Sequence, residues 1–201
     1  GHRDKQIPNS LNVLYQSQPI LEDFGTVMGN GGLGYTQHSA FHDIVNVLRN
    51  CELTEVNLSV RKHLREQTDS QWDTILETYS NDPRIRIQFE CEPKTQMDLN
   101  QFDLIVSHFS TTLIESIYRV IPTISYQPGH KATDTFIANQ LGLSLPAYDL
   151  IGLKNAIKIA LEPKYLAQLQ DRCELLKRED LFFSSGNAAE KVLRVVKCIH
   201  D

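Results

Sequence analysis

Short apolar runs alternate with amphipathic stretches along this chain. Leu11-Asn12-Val13-Leu14-Tyr15 reads as a strand, ended by Gln16-Ser17-Gln18-Pro19. Phe41, Ile44, Val45 and Leu48 recur at helical spacing and predict a helix over 36–51 that faces a sheet. A strand over 55–60 follows. Trp72, Ile75, Leu76 and Tyr79 then mark one face of a helix over 69–79, stopped by Asn81-Asp82-Pro83. Ile85, Ile87 and Phe89 alternate within a strand over 84–89. Next comes the stretch around which the chain is organised, a buried-strand run over 103–107, the polar turn His108-Phe109-Ser110-Thr111-Thr112, and a short helix over 113–120. Ile121-Pro122 punctuates it before a strand over 123–126. Beyond Gly129 the pattern predicts a helix over 133–141 with Gly142 as its stop, and a short strand within 144–148. Helices over 150–161, 164–180 and 188–199 complete the chain.

This alternation predicts an α/β fold, a doubly wound Rossmann-like domain. Its mostly parallel sheet has about six strands, and a helical tail ends the chain. Residues 1–10 read as a tag remnant, Gly1-His2, and a linker, and 11–201 as a single domain. Parallel sheets of this kind bind ligands at the carboxyl ends of their strands, next to helix N-termini. The turn over 107–112 stands at such a place. Its hydroxyls support two readings: a plain helix cap, since Thr112 and Glu115 have capping-box spacing, or a cradle for phosphate. Local pattern does not separate them. One connection, over 20–35, is far longer than usual and contains Gly25, Gly29, Gly31, Gly32 and Gly34. It matches neither G-x-G-x-x-G nor a P-loop. It reads equally as a backbone approach to phosphate and as a plain surface loop.

Composition narrows the partners. Among 201 residues the net charge is -5 and the 20 Lys and Arg are scattered, so a nucleic-acid partner is not expected. No apolar run is long enough to span a membrane. There is no apolar N-terminal signal region, and Cys51, Cys91, Cys173 and Cys198 lie far apart without a Cys-x-x-Cys pair. The expectation is a cytoplasmic chain with free thiols and no metal site. His38 and His42, four apart on a helix, lack a third ligand and read as surface or cleft-side residues.

The stretch from His108 to Ile117, followed by Ile121-Pro122-Thr123-Ile124-Ser125-Tyr126-Gln127-Pro128, resembles the C-terminal domain of GT-B glycosyltransferases. That is the domain that binds the nucleotide sugar. The stretch is similar also to the related UDP-N-acetylglucosamine 2-epimerases. The resemblance implies that Ser110, Thr111 and Thr112 hold the donor diphosphate and that Glu115 binds the ribose. Val120 stands where these families usually carry Gly, and the turn lacks their second glycine. Arg61-Lys62-His63-Leu64-Arg65-Glu66 resembles the Lys-x-His-Pro-x-Glu of bacterial surface-polysaccharide transferases, with Leu64 in place of Pro. Lys62 and His63 are thereby candidates to neutralise phosphate oxygens, although the same segment reads as a solvated basic loop. His130, Lys131 and Asp134 are candidate sugar contacts by the same resemblance. Gly186-Asn187-Ala188-Ala189-Glu190 is similar to the start of the terminal helix in many of these enzymes.

The resemblance implies transfer of a hexosyl or related sugar in polysaccharide or glycoconjugate biosynthesis. The substrate would be a UDP- or CMP-linked donor, with no further cofactor. GT-B enzymes have two Rossmann-like domains with the active site between them, and this length holds one. The chain is therefore expected to be the donor-binding half, completed by an N-terminal domain or a second chain. No residue identifies itself as the catalytic base. An epimerase or hydrolase on the same scaffold, and a non-catalytic interaction module, remain as alternatives.

Overall fold

Six strands alternate with seven helices in the computed structural model. It describes residues 10–25, 32–51, 55–90, 97–131 and 133–179, with side chains up to 175. The strands are β1 (Ser10–Gln16), β2 (Glu55–Arg61), β3 (Ile85–Phe89), β4 (Leu104–Ser107), β5 (Thr123–Tyr126) and β6 (Leu145–Ala147). They form one sheet in the order β3-β2-β1-β4-β5-β6, and every pairing among the described residues is parallel. This is the strand order of dinucleotide-type Rossmann sheets, in which the chain turns back between β1 and β4.

The helices are α1 (Ile20–Phe24), α2 (Gln37–Arg49), α3 (Gln71–Tyr79), α4 (Thr111–Tyr118), α5 (Ile137–Gln140), α6 (Leu150–Ala160) and α7 (Pro163–Glu179). Strand alternation divides the core between the two faces of the sheet. Val13, Tyr15, Leu104, Val106, Ile124 and Tyr126 pack with Phe41, Ile44, Trp72, Ile75, Leu153 and Ile157 of α2, α3 and α6. Leu14 and Ile105 point the other way, to Leu113 of α4, Leu99 and Phe102. A third cluster joins Ile117 of α4 to Tyr165, Leu169 and Cys173 of α7.

Three local expectations change. The long connection after β1 begins with α1, whose Leu21 N–H donates to Gln37 Oε1 at 2.9 Å, a partner from α2 that no local window contains. The helix expected over 133–141 is only the single turn of α5. Asp134 there accepts from Phe136 N–H at 2.8 Å, Asn139 Nδ2 at 2.6 Å and Tyr148 O–H at 2.6 Å, which holds the chain in a turn instead. The helix over 113–120 starts two residues earlier, at Thr111. Its cap is Ser110, so the Thr112–Glu115 capping box does not form. Cys91, Cys198, the stretch 186–190 and the helix over 188–199 lie outside the described residues.

Helix α4 ends in a Schellman motif. Ile121 N–H reaches Ser116 O at 3.1 Å and Val120 N–H reaches Ile117 O at 2.8 Å. The motif needs a left-handed residue, and Val120 takes it at φ 58°. A β-branched residue is strained there, whereas Gly is not. Val120→Gly should therefore raise unfolding stability by about 0.5–1 kcal/mol. Denaturant unfolding checks this; a loss above about 1 kcal/mol would mean that the packing of the half-buried side chain outweighs the strain.

Candidate functional site

The chain arrives at the carboxyl edge of the sheet six times, and four of those arrivals build one cavity. Gln16, Ser17 and Gln18 come from the end of β1, Arg61, Lys62 and His63 from β2, Phe89 and Glu90 from β3, and Phe109 to Thr112 from β4. The cavity holds about 830 Å3, within the range of small-molecule sites. It opens at the β1/β4 reversal, where the strand-order rule places ligands.

The β4–α4 turn is held from beneath. Phe109 N–H donates to Gln18 Oε1 at 2.8 Å, and Ser107 Oγ donates to Gln16 O at 2.7 Å. His108 is fully buried between Tyr126 O, 2.7 Å from Nδ1, and Tyr15 Oη, 3.0 Å from Nε2. These bonds fix the turn so that Ser110, Thr111 and Thr112 face the cavity. Ser110 Oγ accepts from Thr112 N–H at 3.2 Å and so caps α4. That bond uses an acceptor lone pair and leaves the hydroxyl proton to donate outward. Cap and phosphate cradle, rivals in sequence, are compatible in this geometry. Glu115, one turn into α4, is exposed and also lines the cavity.

The opposite wall is the arm after β2. Lys62 Nζ lies 5.1 Å from the centroid of the Phe89 ring. His63 caps a 3-10 turn (Leu64–Glu66), its Nδ1 accepting from Arg65 N–H at 3.3 Å. A backbone amide can only donate, so the proton of the neutral ring sits on Nε2, ready as a donor. Two stretches far apart in sequence, each singled out there, thus meet across one cavity.

Other predicted residues lie elsewhere. His130, Lys131 and Asp134 follow β5 and do not line this cavity. His130 stacks on Tyr148 with ring centroids 5.8 Å apart. Burial pushes the Asp134 carboxyl up, but the hydrogen bonds from Tyr148, Asn139 and Phe136 outweigh it and hold it below its ordinary value. Gly34 adopts φ 82° before α2, a left-handed conformation that suits glycine. Gly32 is described nearby, while Gly29 and Gly31 lie outside the described residues. His38 and His42 go to separate partners: His38 Nε2 lies 2.7 Å from Asp69 Oδ2, and His42 Nδ1 lies 2.7 Å from Tyr79 Oη. Among the described residues no group of three or more His, Cys, Asp or Glu is placed to hold a metal ion, and no helix is long and apolar enough to cross a membrane.

Sequence reasoning missed Gln16, Ser17, Gln18, Gln67, Asp73, Phe89 and Glu90 as cavity residues. Gln16-Ser17-Gln18 was open to discovery, because the carboxyl-end rule applies to β1 as well as β4. Asp73 and Glu90 carry no sequence mark that separates them from surface acids.

No protein-family model matches the chain, and no curated protein matches its sequence. Solved structures do match its fold. The chain is similar to MurG of Acinetobacter baumannii at 14% identity and a TM-score of 0.55, over 98% of this chain and 55% of that one. It is also similar to the spinosyn rhamnosyltransferase SpnG, solved with spinosyn aglycone and with thymidine diphosphate. That match has 13% identity and a TM-score of 0.50, over 87% of this chain and 46% of that one. The chain thus spans about half the length of these proteins. With its sheet order and cleft, the protein has the fold of a GT-B glycosyltransferase-like domain.

Proposed function

We propose that this chain is the nucleotide-sugar-binding domain of a glycosyltransferase acting in polysaccharide or glycoconjugate biosynthesis in the cytoplasm. The observation that carries this is the meeting of Lys62 and His63 with Ser110, Thr111, Thr112 and Glu115 around one cavity. A UDP- or CMP-linked donor suits that arrangement. Hydroxyl protons of the α4 turn, the positive end of its dipole and the Lys62–His63 arm surround the phosphates. Glu115 accepts from the ribose hydroxyls. As the sugar bond breaks, charge grows on the leaving phosphate, and Lys62 with the His63 Nε2–H offset it. The base is supplied from outside this chain.

A second domain or chain completes the site in this reading. Phe24, Leu64, Leu150 and Ile151 are exposed apolar side chains that all follow strand carboxyl ends, on the same edge as the cavity. His130 and Lys131, farther along that edge, are proposed to approach the sugar, with Asp134 bracing their loop. Gly32 and Gly34 are proposed as backbone near the donor.

Thermal unfolding with UDP, CMP, CDP, GDP and an AMP control tests the reading. A pyrimidine nucleotide at about 100 times its Kd should stabilise the fold by about 2.7 kcal/mol, a Tm rise of about 5–11 °C. Lys62→Ala and Glu115→Ala should remove most of that rise. A flat response to the whole panel would sink the nucleotide reading. Unchanged affinity in Glu115→Ala would sink only the ribose role. Epimer or free sugar formed from a nucleotide sugar without acceptor would redirect the assignment to an epimerase or hydrolase.

A further inference from the structure

Behind the cavity wall lies a carboxylate that the binding scheme does not use. Glu66 ends the 3-10 turn after β2 and is 0% exposed. Its Oε1 accepts from Ser17 Oγ at 2.7 Å and its Oε2 from His63 N–H at 2.8 Å. Ser17 N–H also donates to Arg61 O at 2.9 Å. One side chain therefore joins the ends of β1 and β2 through two residues that both line the cavity. No Lys, Arg or His pairs with Glu66 among the described residues, and Glu22 adds repulsion. Burial pushes its carboxyl up from the ordinary value, while the bonds from Ser17 and His63 and, more weakly, the Trp72 side chain pull it back. An apolar side chain would fill this space without the desolvation penalty of a carboxyl group. What the carboxylate supplies instead is orientation of the two groups that it grips.

We propose that Glu66 is a positioning residue: by joining His63 N–H to the Ser17 hydroxyl, it sets where the Lys62–His63 arm stands relative to the α4 turn. It thereby sets the affinity for a phosphate-bearing ligand, a consequence that rests on the nucleotide reading above. The grip on the backbone amide of His63 and the cap on its Nδ1 act together. One locates the residue and the other aims its ring.

Two measurements on the full chain test this. Amide hydrogen exchange at His63 reads the clamp with no ligand present. Glu66→Gln places an amide donor or a weaker acceptor against His63 N–H, so exchange there should rise about tenfold or more. The amides of β1 and β4 should keep their protection. Unchanged exchange at His63 overturns the clamp. Calorimetric titration with UDP and with CMP reads the consequence. Glu66→Gln should weaken the ligand that binds by about tenfold, His63→Ala by a similar factor, and the double variant no more than His63→Ala alone. Additive losses overturn the route through His63. If neither nucleotide binds the native chain, the link to affinity falls with the nucleotide reading, and the exchange result still decides the clamp. Should Glu66→Gln not fold, Glu66→Asp, whose shorter side chain cannot reach Ser17 Oγ and His63 N–H together, is measured in its place, with the same supporting and overturning results.

Discussion

Acidification from pH 6.5 to 4 should cost the fold about 3 kcal/mol through one side chain, His108. The ring is fully buried, with Nδ1 2.7 Å from Tyr126 O and Nε2 3.0 Å from Tyr15 Oη. Facing a carbonyl, Nδ1 must carry the proton, so Nε2 presents its lone pair to the Tyr15 hydroxyl. The rings of Tyr35 and Tyr15 lie 5.2 and 5.9 Å away. Burial lowers the imidazole from 6.5 to about 4, against a smaller opposing effect of the bond to Tyr126 O. The folded value is thus below the unfolded one. The stabilisation is fully present above pH 6.5 and is lost as pH falls towards 4.

Glu66 works in the opposite sense. Its carboxyl is raised in the folded protein, so its ionisation weakens the fold as pH climbs from 4.5 through the raised value. The native curve therefore blends two slopes, and a variant isolates the histidine. His108→Asn keeps a donor for Tyr126 O and leaves the Tyr15 hydroxyl to Gln37 O, 3.0 Å away. Urea unfolding at several values between pH 7.5 and 4 should show the variant about 1–3 kcal/mol weaker at neutral pH. The difference between the two proteins should shift by about 3 kcal/mol in the variant's favour at the acid end, erasing or reversing the gap. Parallel curves for the two proteins would show that His108 does not carry the acid loss.

Trp72→Ala should cost about 3–5 kcal/mol, lowering Tm by roughly 6–20 °C. Trp72 is fully buried, and its ring lies 4.8 Å from His38, 5.4 Å from Phe41, 5.7 Å from Phe89 and 6.3 Å from Tyr15. Those four residues come from β1, α2 and β3, so the indole ties α3 to all three. Its loss opens a void beneath Phe89, over which Lys62 rests. Calorimetric melting checks the stability. Adding indole or benzene should recover part of the lost Tm, because an apolar void that stays dry binds such molecules. A loss below about 1 kcal/mol would mean that the surroundings collapse into the space.

Most elements were legible because each shows its burial locally. Val13 and Tyr15 against Leu14, and Leu104 and Val106 against Ile105, alternate between the two faces as period-2 strands must. Phe41, Ile44, Val45 and Leu48 mark the buried stripe of α2. Both halves of the cavity wall were also visible, as hydroxyls before an apolar helix and as Lys62-His63 after a strand. What stayed hidden depends on partners distant in sequence. Helix α1 leans on Gln37, the α5 stretch is held in a turn by Tyr148 as well as its own Asn139, and Ser17 meets its carboxylate 49 residues later.

By itself, then, the sequence determined the α/β alternation, the strand–turn–helix unit around Ser110 and the residue types offered to phosphate. Periodicity, turn chemistry and capping act within a few residues, and a reader of the chain can see them. Tertiary structure alone decided the order β3-β2-β1-β4-β5-β6 and hence which strand ends are neighbours. It placed Lys62 and His63 opposite Ser110 and Glu115, left His130 and Asp134 off that cavity, and buried Glu66 where a surface charge was expected. Each of these outcomes follows from which strand pairs with which. That choice minimises exposed apolar area over the whole sheet rather than within any one segment.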